Sequence, residues 1–170
     1  MQDTPKVLIV MGSNSDLPVM REAADVLDRF GVQCEMRISS AHRSPKMTEK
    51  LATEAAVRGI RVIIAGAGMA AHLAGVVASL TTLPVIGVPM PGGALNGVDA
   101  LYATAQMPGG IPVASMAIGK AGAKNAAIFA VQILALSDKR LAEALLDYRH
   151  EMEQDVARSD AELQSVRSVA

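Results

Sequence analysis

Short apolar runs alternate with stretches of helical periodicity along most of the chain. The runs predict five strands, over residues 6–11, 32–38, 60–65, 84–88 and 111–118. Apolar positions three and four residues apart predict helices between them, beginning near Leu17 and Pro45 and lying over residues 70–80 and 97–106. Gly31 is suited to end the first helix, and Ser44 is suited to cap the second.

Nearly continuous apolar strands with helices between them indicate a parallel sheet that is covered on both faces. The fold class that follows is α/β: a flavodoxin-like three-layer α/β/α sandwich with a parallel sheet, plus a C-terminal helical extension. We assign residues 1–136 to an α/β catalytic domain and residues 137–170 to the extension.

Two further helices are predicted after the fifth strand. Residues 121–136 are almost wholly apolar, which predicts a helix buried on every side. Residues 138–166 are amphipathic, with one apolar stripe and charges elsewhere. Such a helix after a complete sandwich favours contacts with another subunit, so we expect a homo-oligomer. The alternative is that it folds back on its own sheet.

Composition narrows the range of partners. Lysine and arginine number 16 against 17 aspartate and glutamate, and aromatic residues make up 2%, so no nucleic-acid partner is expected. No apolar run approaches the length of a membrane helix, and the first residues lack the features of a signal peptide, so no membrane partner is expected either. Cys34 has no partner for a disulfide, and we expect it in the strand core of a cytoplasmic protein.

Polar side chains follow the first strand of the predicted sheet. Ser13 and Ser15 offer hydroxyls beside the start of a helix, which suits phosphate. Asp16 would repel phosphate but can accept hydrogen bonds from ribose hydroxyls. The alternative is that Ser15 or Asp16 only caps the helix, and this loop alone does not decide between the two.

The loops after the second and third strands should meet the first at the carboxyl edge of the sheet. The second carries Ser40, His42 and Arg43, in which imidazole is the natural acid and base near neutral pH and guanidinium suits phosphate. The third is rich in glycine and alanine from Gly66 to Ala71, which leaves room for a flat ligand. His72 either supports the site or packs beneath it.

Several other chemistries lack their motifs. The chain has neither a phosphate loop for nucleoside triphosphates nor a serine-hydrolase elbow, and its GxG lacks the full dinucleotide spacing. The three histidines, His42, His72 and His150, do not have the spacing of metal ligands. We therefore expect a site without metal or cofactor.

Taken together, the loops resemble those of the N5-carboxyaminoimidazole ribonucleotide mutase family. The resemblance covers about residues 6–136 and rests on segments 11–16, 40–45, 66–73, 97–101, 106–113 and 117–126. It implies an enzyme of purine biosynthesis, an isomerase that moves a carboxyl group from an exocyclic nitrogen to a ring carbon of a small ribonucleotide. No cofactor is implied. Family members are octamers with an intertwined C-terminal helix, so the expected oligomer is a homo-octamer.

The resemblance also assigns roles to residues. His42 would protonate the departing nitrogen and later take a proton from the carboxylated carbon, with His72 as a second catalytic residue. Ser13, Ser15, Ser40 and Arg43 would hold phosphate, and Asp16 the ribose. The remaining substrate-binding residues implied are Ala41, Gly68, Ala70 and Leu73, of which those in the Gly/Ala loop would form a chamber for CO2.

Two departures and three rivals accompany this hypothesis. The family usually has Gly where this chain has Met69 and Pro where it has Ala74, and we expect both positions to touch the chamber. A related branch carboxylates aminoimidazole ribonucleotide directly with CO2, but it carries Lys after the histidine, so Arg43 favours the mutase. The second rival is a carboxylase of another heteroaromatic nucleotide, and the third is a non-catalytic nucleotide- or flavin-binding module.

Overall fold

The computed structural model describes residues 4–167, so the outermost residues of both predicted domains, 1–3 and 168–170, lie outside the described residues. Five strands form one parallel sheet: β1 (Val7–Met11), β2 (Cys34–Ile38), β3 (Val62–Ala67), β4 (Val85–Pro89) and β5 (Ala114–Ser115). The helices are α1 (Leu17–Arg29), α2 (Pro45–Thr53), α3 (Leu73–Ser79), α4 (Val98–Ala105), α5 (Lys120–Ala135) and α6 (Lys139–Arg167). The strand order β2-β1-β3-β4-β5 confirms the predicted fold class.

The three central strands form the core of the sheet. Every residue of β1 and β4 is buried, as are all residues of β3 except Ala67, because helices cover both faces. Met11 pairs with Ile38 on β2 and with Gly66 on β3, so the carboxyl ends of these three strands lie level. The loops that follow them therefore leave the sheet side by side.

Close packing depends on glycine at the end of β3. A Cβ placed on Gly66 would lie 2.5 Å from Sδ of Met20 and 2.9 Å from Cε of Met90. The absent side chain makes room for two methionines, Met20 from α1 and Met90 directly after β4.

The fifth strand is shorter than the sequence predicts. The apolar run 111–118 predicts eight residues, whereas β5 contains only Ala114 and Ser115. Gly110 has a φ of +96° and Pro112 lacks an N–H, so the chain cannot join the ladder before Val113. Helix α3 likewise begins at Leu73 rather than at Ala70, because Ala70 to His72 form tight turns.

The sequence predicts that the apolar stretch after β5 is buried on every side, but the structure shows one side exposed. Helix α5 buries one stripe of mostly small residues, whereas Phe129 is 37% exposed. Cys34 is half-buried rather than fully in the core, because β2 is the edge strand, and burial raises the pKa of its thiol.

The chain divides into two compact units, one ending at Ile133 and the other beginning at Leu134. The second contains the long helix α6, whose exposed apolar side chains include Leu146, Met152 and Val156. Among the described residues, no helix combines the length and hydropathy needed to cross a membrane. The predicted use of this segment for subunit contacts stays a prediction.

Candidate active site

A cavity of about 640 Å³ opens at the carboxyl edge of the sheet. It is bounded by the loops after β1, β2, β3 and β4. All eleven residues to which the resemblance assigns a role line it: Ser13, Ser15, Asp16, Ser40, Ala41, His42, Arg43, Gly68, Ala70, His72 and Leu73. The structure thus brings the predicted residues together at one edge, although it does not test their roles.

The loop after β4 also lines the cavity, and sequence reasoning missed it. Met90, Pro91, Gly92 and Gly93 form this wall. They carry no titratable side chain, so no chemical signal drew attention to them. Their position after a central strand was the available signal, because ligands bind beyond the carboxyl ends of parallel strands.

The β1 loop is ordered by a capping box over the short 3₁₀ helix Asn14–Asp16. Ser13 accepts a hydrogen bond from the Ser15 amide at 3.3 Å, and the Ser13 amide donates to Asp16 Oδ2 at 3.0 Å. The Ser15 hydroxyl donates to the Ser13 hydroxyl at 3.0 Å. Capping therefore occurs, through Ser13 and Asp16, and the exposed Ser15 hydroxyl still lines the cavity.

The carboxylate that lines the cavity, that of Asp16, has a perturbed pKa. Partial burial raises the pKa of its carboxyl above the usual value, while the Ser13 amide, the Ser15 hydroxyl and the positive charge of Arg43 oppose this rise. A carboxylate in this setting lacks part of its hydration. It can regain hydrogen bonds from the hydroxyls of a ligand.

The β2 loop is held by hydroxyl groups. Ser44 stands at the N-cap of α2 as predicted, but its hydroxyl makes no capping bond. Instead it accepts from the Ser40 amide at 2.9 Å and donates to the Ser40 carbonyl at 3.1 Å. Beneath it, the buried hydroxyls of Ser39 and Thr48 are 2.8 Å apart. These bonds fix the backbone on either side of His42.

Arg43 joins two loops of the site. Its guanidinium donates to the carbonyl of Gly12 at 2.9 Å, and its amide donates to the Ser40 hydroxyl at 3.2 Å. The side chain is exposed and has further N–H groups, which leaves donors for an anion. The guanidinium of the β2 loop is therefore held against the β1 loop, so its positive charge lies beside both loops.

The two histidines of the site are in direct contact. Nε2 of His42 lies 2.8 Å from Nδ1 of His72, and the rings meet edge to face with centroids 5.0 Å apart. In such a pair one nitrogen donates and the other accepts, so the tautomer of one ring determines that of the other. His72 thus lines the cavity beside His42, and its role in catalysis stays a prediction.

The β3 loop turns sharply between Gly68 and His72. The Ala71 amide donates to the Met69 carbonyl at 2.9 Å, and the His72 amide donates to the Ala70 carbonyl at 2.8 Å. Met69 lines the cavity, as expected, but Ala74 does not: it is buried in the core, where its Cβ lies 3.4 Å from a Cβ placed on Gly87. The expectation that both departures touch the chamber is wrong for Ala74.

No group of three histidine, cysteine or acidic side chains with metal-binding geometry occurs in residues 4–167. The third histidine, His150, lies on α6, where its Nε2 is 2.8 Å from the Gln154 side-chain nitrogen. The groups available for chemistry in the cavity are therefore an imidazole pair, a carboxylate, serine hydroxyls and a guanidinium.

Comparisons with known proteins point to one family. The sequence pattern of a family described as AIR carboxylase matches residues 6–155. The chain is 54% identical over 152 residues to the N5-carboxyaminoimidazole ribonucleotide mutase of Saccharolobus solfataricus, covering 89% of this chain and 95% of that protein. The enzyme of the same name from Bacillus subtilis is 52% identical over 159 residues, covering 94% and 98%. Among solved structures, Treponema denticola PurE superimposes with a TM-score of 0.83 at 32% identity, covering 94% and 98%.

Proposed function

Because the chain belongs to the AIR carboxylase family, we propose that it is an isomerase, N5-carboxyaminoimidazole ribonucleotide mutase, of purine biosynthesis. It converts the carbamate ribonucleotide to 4-carboxy-5-aminoimidazole ribonucleotide. The observation that carries this proposal is the His42–His72 pair in a cavity that also holds serine hydroxyls, a guanidinium and a carboxylate. Relatives named for this reaction are about half identical to the chain over nearly its whole length.

The reaction proceeds by loss and recapture of CO2. The carbamate C–N bond breaks, its electron pair stays on nitrogen, and His42 supplies the proton that the nitrogen takes up. The amino nitrogen then feeds electron density to ring carbon 4, which attacks CO2 and forms the new C–C bond. His42 removes the proton from that carbon and returns to its starting state. The same imidazole gives and takes one proton, so it serves as general acid and then as general base.

The ribonucleotide is held along the β1 and β2 loops. Ser13, Ser15, Ser40 and Arg43 bind the phosphate, since they place hydroxyls and one positive charge at the cavity wall. Asp16 accepts from the ribose hydroxyls, which restores the hydrogen bonds that its partial burial removes. The base then reaches His42, and Ala41, Gly68, Ala70 and Leu73 surround the released CO2.

His72 acts on His42 as well as on the substrate. Its Nδ1 shares a hydrogen bond with Nε2 of His42, so it sets which nitrogen of His42 carries the proton. The reaction needs no cofactor, because the electron pair of the ring amine supplies the nucleophile. The partner is a small ribonucleotide, and no nucleic acid or membrane takes part.

We further propose that the chain works as a homo-octamer in the cytoplasm, with residues 137–170 making subunit contacts for the catalytic domain 1–136. Exposed apolar side chains along α6 support the proposed subunit contacts, and the family match extends into this helix as far as residue 155. The lone Cys34 supports a reducing compartment. Size measurement in solution, with and without residues 137–170, tests the assembly.

A second candidate reaction is direct carboxylation of aminoimidazole ribonucleotide. The description of the matching family, AIR carboxylase, favours this candidate. The assay offers purified protein either the carbamate ribonucleotide or aminoimidazole ribonucleotide with bicarbonate, both without ATP. Carboxylated product from the carbamate at the higher rate supports the mutase. Faster product from the second mixture establishes the direct carboxylase instead. Tight binding of both compounds without turnover would show a non-catalytic nucleotide-binding module.

A further inference from the structure

His42 and Arg43 belong to one five-residue loop, residues 40–44. Both residues are exposed. The His42 ring meets that of His72 at 2.8 Å, and the Arg43 guanidinium meets the Gly12 carbonyl at 2.9 Å. An exposed side chain has fewer packed neighbours to hold it than a buried one. The direction of both side chains therefore depends on the backbone of this loop.

Ser44 closes the loop with three hydrogen bonds to a single residue, Ser40. The Ser44 hydroxyl accepts from the Ser40 amide at 2.9 Å and donates to the Ser40 carbonyl at 3.1 Å. The Ser44 amide donates to the same carbonyl at 2.9 Å. The first and last residues of the loop are thereby held together, and two of the three bonds depend on one hydroxyl group.

Ser44 makes these bonds instead of capping helix α2. At an N-cap, a serine hydroxyl usually accepts a hydrogen bond from the second or third amide of the helix. The Ser44 hydroxyl makes no such bond, and α2 begins with Pro45, whose ring suits the first helical position. A residue that departs from its usual local role is a reason to look for another role nearby.

Two buried hydroxyls support Ser44 from below. Ser39 and Thr48 are 1% and 0% exposed, and their hydroxyl oxygens are 2.8 Å apart. The Ser39 hydroxyl also lies 3.4 Å from the Ser44 hydroxyl, and the Thr48 hydroxyl lies 3.4 Å from the Ser44 carbonyl. Water does not reach these hydroxyls, so each depends on the others for its hydrogen bonds. The pair therefore keeps Ser44 in one place.

The pair differs from the other buried polar side chain within residues 4–167, that of Thr104. The Thr104 hydroxyl donates to the Ala100 carbonyl at 2.7 Å, so its bond stays within α4. Ser39 instead directly follows β2, whereas Thr48 lies on α2. Their bond joins the segments on either side of the loop and so limits how far these segments can move apart.

We propose that Ser44 is a positioning residue of the site, whose hydroxyl fixes the direction of His42 and Arg43. The buried Ser39–Thr48 pair supports it from the core side. Ser44 itself does not line the cavity, so it acts through the loop that it closes. What this does to turnover rests on the proposed mutase function.

A displaced loop carries both side chains with it. In the proposed function His42 moves the proton and Arg43 binds the phosphate, and a misplacement of about 1 Å can lower a rate about 100-fold. Loss of the Ser44 hydroxyl therefore changes kcat and KM together. Replacement of His42 alone should change mainly kcat, and replacement of Arg43 alone should change mainly KM.

The test compares variants in steady-state kinetics on the carbamate ribonucleotide. Ser44→Ala removes the hydroxyl, Ser44→Thr keeps one, and Thr48→Val removes the support while leaving Ser44 in place. The control, Thr104→Val, removes a buried hydroxyl from α4. Thermal unfolding of every variant gives an assay temperature at which all of them are folded.

A second measurement does not require turnover. Nitrogen NMR of protein labelled with ¹⁵N-histidine, recorded without substrate, reports the ring nitrogens of His42 and His72. The third histidine, His150, lies on α6 and serves as the reference within the same sample.

We expect Ser44→Ala to lower kcat about 10-fold and to raise KM several-fold, because two functional side chains move with one loop. The ring-nitrogen signals of His42 and His72 should shift, and those of His150 should not. Ser44→Thr should recover most of both kinetic losses. Thr48→Val should show smaller losses of the same kind, and Thr104→Val should show neither.

Unchanged kcat and KM in Ser44→Ala overturn the inference, as do equal losses in Thr104→Val or unshifted ring-nitrogen signals. A loss that Ser44→Thr does not restore counts against the hydroxyl in the same way. If Ser44→Ala does not fold, the comparison of Thr48→Val with Thr104→Val decides. Absence of product from the unmodified chain instead refutes the mutase function, while the NMR comparison still tests the positioning of the loop.

Discussion

The β2 loop and the β3 loop each bring one histidine to the cavity, but they are ordered by different interactions. Around His42, the hydroxyls of Ser39, Ser44 and Thr48 form a chain of hydrogen bonds with the backbone and with one another. Around His72, order comes from two tight backbone turns and from small or apolar side chains. In the proposed function, the polar loop binds the charged phosphate and the apolar loop surrounds CO2. The proposal thus gives the two loops different tasks in one site.

The difference between the two loops is tested most strongly by exchanging the two histidines for asparagine one at a time. His42→Asn should lower kcat by about 10²–10⁴-fold, because no other group gives and takes the proton. His72→Asn should lower kcat less, since an amide can still hydrogen-bond to His42 Nε2. Steady-state kinetics measures both, and ligand titration should show binding largely intact in His42→Asn. Equal losses in the two variants would contradict the division of roles.

Arg43 tests whether the polar loop holds the phosphate. Arg43→Ala should raise KM about 10- to 100-fold with a smaller effect on kcat, because a charge-assisted hydrogen bond contributes roughly 1.5–3 kcal/mol. Arg58→Ala removes an arginine that contacts Glu35 outside the cavity, and KM should not change. A loss confined to kcat would show that Arg43 acts on the reacting atoms instead.

The hydroxyl network predicts a stability effect in the polar loop. Thr48→Val should destabilise the fold by about 1–3 kcal/mol, because the buried Ser39 hydroxyl loses its 2.8 Å partner. Thr53→Val on the same helix breaks an exposed bond to the Glu49 carbonyl and should change stability by about 0.5 kcal/mol or less. Urea denaturation measures both. Similar values for the two variants would mean that the buried network does not stabilise the loop.

The smallest expected effect concerns the backbone of the apolar loop. Met69→Gly should stabilise the fold by roughly 1 kcal/mol, because glycine adopts a φ of +54° without steric cost. Ala70→Gly, one residue along at negative φ, should instead destabilise slightly through the greater entropy of the unfolded chain. Thermal unfolding compares the pair. A destabilised Met69→Gly would show that side-chain contacts outweigh backbone strain here.

Much of the fold could be predicted because periodicity is local. Buried strands such as β3 and β4 are read from runs of apolar residues, and Gly31, with a φ of +65°, ends α1 as its position predicts. The prediction was wrong where a neighbouring residue changed the backbone, as Pro112 did for β5. It was wrong again where an apolar helix kept an exposed side, as at Phe129.

For the site, the sequence by itself determined that the loops after β1, β2 and β3 meet, because parallel strands place their βα loops at one edge of the sheet. The β4 loop was missed. Only the tertiary structure decided that His42 and His72, 30 residues apart, share a hydrogen bond, and that the Ser44 hydroxyl binds Ser40 rather than capping α2. It alone brought the Met69 side chain next to Gly93. The physical reason is one of range. Periodicity depends on neighbours in the chain, whereas hydrogen bonds and close contacts depend on the distances between segments that meet only after folding.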